Sequence, residues 1–149
     1  MKKIIAVLLV ISILPLSACK KTRSAEDILS ELIKEYPIEA TLYSSLCYEG
    51  DEGYIDTDML SALYGVSEYP TRDFAVVLYG KVDTVREIGV FVTDGGDDVI
   101  RTTEIITRRI SFLSSFAEGE GFIKKYRGVL VYGVVWNSSY AEELFDRIL

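Results

Sequence analysis

The groups with which this chain could do chemistry are two thiols and 23 carboxylates, and no histidine stands among its 149 residues. Without an imidazole there is no Ser-His or Cys-His nucleophile pair and no histidine-containing zinc site. Against the acids stand 16 Lys+Arg, for a net charge of −7, which argues against electrostatic capture of nucleic acid. The densest acidic stretch runs from Glu49 to Asp58, and Gly53-Tyr54-Ile55-Asp56 looks like the middle of a calcium loop. Setting Gly53 at the loop's glycine puts Tyr48 first, Gly50 third and Met59 twelfth, so the ligands required there are missing. The stretch reads as a solvated acidic loop running into a helix cap, with no metal site. Asp94, Asp97 and Asp98 read as capping and first-turn acids in the same way. Gly95-Gly96 and Gly119-x-Gly121 lack the lysine and the spacing of a phosphate loop.

The thiol of Cys19 carries a more specific signal. Leu16-Ser17-Ala18-Cys19 has the form of a lipobox, in which small side chains admit the peptidase and the cysteine takes a diacylglyceryl chain. It follows Lys2, Lys3 and an apolar run from Ile4 to Leu16 broken only by Ser12 and Pro15, the tripartite secretory pattern. The run is shorter than the roughly 20 residues of a membrane span. Residues 1–18 are expected to be a cleaved lipoprotein signal peptide, and 19–23 a lipidated N-terminus and basic linker. The expected address is the extracytoplasmic face of the cell membrane, with the bilayer as partner through acylated Cys19 and no cofactor besides that lipid. Cys47 is then left without an intrachain partner, and within Leu46-Cys47-Tyr48 it reads as a small buried apolar residue.

The elements that would position other groups follow from periodicity and caps. Ser24-x-x-Asp27 opens a helix with Ile28, Leu29, Leu32, Ile33 and Tyr36 on one stripe, closed by Pro37. Residues 38–53 are irregular or strand. Asp56-Thr57-Asp58 offers an N-cap to a helix of about two turns through Met59, Leu60, Leu63 and Tyr64, with Gly65 as its stop. Phe74–Tyr79 and Ile88–Val92 read as an antiparallel hairpin around a turn at Val82-Asp83-Thr84. A long amphipathic helix follows, with Val99, Thr103, Ile106, Ile110, Leu113 and Ala117 facing a sheet, Glu104 and Arg108 paired on the outer side, and Gly119 and Gly121 as its end. Arg127–Trp136 is a third strand with two apolar faces, and Ser139-x-x-Glu142 starts a closing helix. The expected fold is one α+β domain over 24–149, a small, mainly antiparallel sheet packed with helices in two or three layers.

Asp58-Met59-Leu60, Leu63-Tyr64-Gly65-Val66, the strand Phe74–Tyr79, Glu87-Ile88-Gly89-Val90-Phe91, the long helix from Asp97 and the closing strand and helix together resemble an uncharacterised family of short Gram-positive bacterial lipoproteins built on a domain of unknown function. The resemblance spans about 56–149. It implies a lipobox ahead of such a domain and brings no activity, substrate or functional residue.

One interaction surface is suggested by the third strand. If the long helix covers the Val129, Val131 and Val135 face, Tyr132 and Trp136 turn to the other face, where Tyr79 or Phe91 join them as a binding platform. The alternative is that Ile28, Leu32 and Ile33 pack over those aromatics as core. The function expected is that of a membrane-tethered binding or interaction module contacting a cell-envelope protein or a small ligand, without catalysis. The competing reading is a carboxylate-dependent enzyme acting on envelope material, for which a convergent acid pair would be the sign.

Overall fold

The computed structural model describes residues 23–35, 40–79, 86–116 and 118–149. The lipobox Leu16, Ser17, Ala18 and Cys19, the helix end at Tyr36-Pro37, the turn at Val82-Asp83-Thr84 and Ala117 lie outside the described residues. Nine elements follow in order: α1 (Ala25–Glu35), β1 (Thr41–Ser44), α2 (Thr57–Tyr64), β2 (Asp73–Tyr79), β3 (Arg86–Val92), α3 (Asp97–Leu113), β4 (Glu120–Tyr126), β5 (Val129–Val135) and α4 (Ser138–Ile148). The strands form one antiparallel sheet in the order β1-β2-β3-β5-β4. Helices cover both faces, so the α+β domain has three layers.

Local signals account for most of the boundaries. Ser24 Oγ accepts from the Asp27 N–H at 3.1 Å, one arm of a capping box. Asp56 accepts from the Met59 N–H at 2.7 Å, and Gly65 ends α2 in the left-handed region with its N–H on the Ser61 carbonyl. At α4 the cap is Asn137 rather than Ser139, because Asn137 Oδ1 takes the Tyr140 N–H at 2.9 Å. No side chain caps α3 at Gly96; Asp98 instead accepts from the Asp94 N–H of the preceding loop. The helix stops at Leu113, before the Ala117 expected from periodicity. There the Ser115 and Phe116 N–H groups donate to the carbonyls three residues back, and the Ser115 hydroxyl also donates to the Phe112 carbonyl, which tightens the last turn.

One strand falls within the stretch read as irregular or strand, and another departs from the sequence reading. The mixed stretch 38–53 supplies β1, a four-residue edge strand paired with β2. Residues 120–126, where the sequence pattern marks only Gly121, as part of the stop after α3, form β4 and pair with β5 through a two-residue turn. Arg127 (φ 43°) and Gly128 (φ 83°) both take positive φ in that turn, the geometry that lets a two-residue hairpin follow the strand twist. Gly121 serves packing here rather than helix termination, since a Cβ on it would come within 2.4 Å of Ile110 Cγ2.

The alternation of the strands divides the core. Ala75, Val77, Ile88, Val90, Val129, Val131 and Val135 meet Ile28, Leu29 and Leu32 of α1 and Leu144 and Phe145 of α4. Phe74, Val76, Phe91, Leu130 and Tyr132 meet Leu60 and Tyr64 of α2 and Ile105 and Ile106 of α3. The long helix therefore covers the Leu130–Tyr132 face, opposite to the arrangement on which the aromatic platform depended.

Candidate functional site

The four aromatics expected to form a platform do not assemble. Phe91 and Tyr132 are fully buried under α2 and α3. Phe74 and Phe91 stack with ring centres 5.2 Å apart, and Tyr64 stands edge-on to both. Tyr79 packs on the other side of the sheet, with the α1–α4 cluster. Trp136 lies past the end of β5, 60% exposed, with the Arg86 guanidinium 3.3 Å from its ring centre. One face of its indole is thus covered from within the chain.

What the structure brings together instead is a buried polar quartet that the sequence reading missed. Glu87 of β3 is fully enclosed, and Arg109 of α3 grips it with Nε 3.1 and 3.0 Å from the two carboxylate oxygens and Nη2 2.6 Å from Oε2. Tyr132 donates its hydroxyl to Glu87 Oε1. Since that proton is committed, Tyr64 is the donor in the 2.8 Å contact between the two phenols. The chain of hydrogen bonds thus runs from α2 through β5 to β3, and the ion pair ties β3 to α3. Room for the Tyr132 ring is made at Gly89, its cross-strand partner, where a Cβ would lie 2.2 Å from Tyr132 Cε1.

The electrostatics keep the two phenols protonated and the guanidinium charged. Burial first, and then the Glu87 charge, push both phenols well above their ordinary value, so neither ionises to a tyrosinate near neutrality. For Arg109 burial opposes the charge, but hydrogen bonding and attraction to Glu87 outweigh it and raise the guanidinium further. Glu87 is the one buried carboxylate among the described residues, and its oxygens are occupied by Arg109 and Tyr132. A pair at this depth is held for geometry: removing one partner strands a charge in a low-dielectric interior.

Two of the quartet, Tyr64 and Arg109, line an open groove of about 310 Å³ between the end of α2 and the last turns of α3, together with Gly65, Arg108 and Phe112 among others. Phe112 is 57% exposed and meets Phe116 edge-to-face at 5.0 Å, so the α3 wall of this region carries aromatic surface in solvent. The expected Glu104–Arg108 pair does not form an ion pair among the described residues. The trace of this site in the sequence is Phe112 and Phe116, apolar residues that flank the inner stripe of α3.

Cys47 is half-buried in the turn after β1, its Sγ 3.8 Å from the Glu52 carbonyl. Burial, then the Glu26 and Asp51 carboxylates, raise its thiol above the ordinary value, which disfavours a reactive thiolate. The acidic stretch closes as a turn around Gly53, whose carbonyl accepts from the Ser44 N–H. Among the described residues no three metal-ligating side chains converge, and no helix is long and apolar enough to cross a membrane. No protein-family model matches the chain, and no curated protein or solved structure matches it either.

Proposed function

We propose that this chain is a lipid-tethered extracytoplasmic module that binds a cell-envelope component in the groove between α2 and α3. The observation that carries the reading is an open, aromatic-edged groove whose lining residues Tyr64 and Arg109 are held in place by a buried hydrogen-bond chain and ion pair. Both faces of the sheet are closed by helices, whereas Phe112 stays exposed beside two guanidinium groups. A binding site of this kind combines an apolar wall with a few placed polar groups on a rigid base.

A tether at Cys19 agrees with the same reading in its position along the chain. Cys19 stands four residues before Arg23, a reach of about 14 Å of extended chain. Arg23 bonds the Ile148 carbonyl, and the Ala25 N–H bonds Asp73 at the start of β2, which pairs with the end of β3 at Val92. Glu87, below the groove, sits at the opposite end of β3, about 17 Å away along the strand. An anchor at Cys19 would leave the groove on the side away from its attachment.

The test is proximity crosslinking and membrane fractionation in the native cell, comparing the wild type with Cys19→Ala and Phe112→Ala. The expected result is membrane retention lost in Cys19→Ala, and an enriched envelope partner that Phe112→Ala loses while remaining at the membrane. Unchanged membrane retention of Cys19→Ala would overturn the tether, and a partner indifferent to Phe112 would overturn the groove.

A further inference from the structure

Resting on the reading of the groove as a binding site, we propose that its ligand is the C-terminal end of a peptide finishing in an apolar residue. The α3 wall supplies donors for a carboxylate. Arg109 spends Nε and Nη2 on Glu87, while its Nη1 meets no hydrogen-bond acceptor among the described residues although Arg109 lines the groove. Arg108 beside it is exposed and in no ion pair among the described residues. Both arginines line the groove, one of them held rigid by a buried carboxylate, and the guanidinium fork is suited to a planar carboxylate.

The α2 wall supplies the opposite chemistry. A helix end leaves its last carbonyls without intrahelical donors. Gly65 closes only the Ser61 carbonyl, and those of Ala62, Leu63 and Tyr64 accept no other backbone N–H among the described residues. A peptide terminus presents the complement of both walls: a carboxylate for the arginines, an amide N–H for a carbonyl, and a side chain for Phe112. A volume of about 310 Å³ suits the last residue of such a chain and the peptide unit before it. A peptide lying there is captured by its end rather than along its length.

The experiment is fluorescence anisotropy of labelled tetrapeptides ending in Phe or Leu, each as free acid and as C-terminal amide, against the full chain in detergent. The free acids are expected to bind, the amides at least about tenfold more weakly. Arg108→Gln and Phe112→Ala, both at exposed positions, are each expected to weaken the free acids about tenfold with unchanged melting temperature. Amides that bind as well as acids, variants without effect, or no binding at millimolar peptide would each overturn the proposal. Octanoate, an apolar carboxylate without amides, is the counter-probe: equal competition by it would overturn the assignment to a peptide. Failure of the peptides while Phe112→Ala still loses its crosslinked partner in cells would overturn this ligand and leave the groove standing.

Discussion

Neutralising Glu87 should cost this protein far more than its place on an ordinary strand suggests. The carboxylate has no exposed surface, and Arg109 beside it has 6%. Glu87→Gln would leave a guanidinium buried without its counter-ion, and Arg109→Met would leave a carboxylate in the same position. Breaking a buried pair from one side costs about 3–5 kcal/mol, whereas removing both charges together is close to neutral. The double variant Glu87→Gln, Arg109→Met retains a glutamine oxygen to accept from Tyr132, so it should regain at least about 2 kcal/mol over either single change. For a domain of this size 1 kcal/mol corresponds to about 3–4 °C in Tm, so each single variant should melt roughly 10 °C or more below the wild type. Urea unfolding of the wild type, both singles and the double completes the cycle. Strictly additive losses, or a Glu87→Gln loss under about 1 kcal/mol, would refute the view that this pair locks α3 to the sheet.

Two further outcomes follow from the packing. Trp136→Ala should lower stability by no more than about 1 kcal/mol, since the indole is 60% exposed and its main contact is the Arg86 stack; a loss of several kcal/mol by chemical denaturation would show that it belongs to the core. Asp73 accepts the Ala25 N–H at 3.0 Å, and burial raises its carboxyl above the usual value, an effect the Ala25 bond offsets in part and the Asp27 and Glu26 charges reinforce. A folded pKa above the unfolded one means its stabilising contribution is complete below the ordinary carboxylate range and is lost as pH rises through the folded value. Asp73→Asn keeps the acceptor and removes the charge, so it should melt above the wild type at neutral pH, with the gap closing toward about pH 3. A gap that widens in acid would contradict this sign.

Much of the architecture is written in short-range pattern. Ser24, Asp56 and Gly65 act at the helix ends where their types place them, because a cap needs only a side chain and an amide three residues apart. The strands β2, β3 and β5 are legible from β-branched and aromatic runs, and the apolar character of both faces of β5 correctly implies cover on each side. The failures are also physical. In β4 only Phe122 is buried, since an edge strand with Lys124 and Lys125 shows water most of its surface and lacks the alternation of a half-buried one. Asn137 displaced Ser139 as a cap because either offers the same chemistry, and the turn out of β5 decides which one faces the free amides.

The candidate site lay beyond any local pattern. Tyr64, Glu87, Arg109 and Tyr132 come from four different elements, and Glu87 stands just before the Ile88–Val92 run, where nothing in its neighbours marks it as buried. The sequence alone determines the helix caps, the apolar strands, the acidic charge and the absence of histidine, because each depends on residue type or on neighbours a few positions apart. Only the tertiary structure decides which helix covers which face of the sheet. That choice buries Tyr132 and Phe91, exposes Phe112, and commits Arg109 to a carboxylate 22 positions away. Its physical reason is desolvation: a buried charge or hydroxyl must find its partner wherever the fold brings one within reach, and sequence spacing carries no record of that distance.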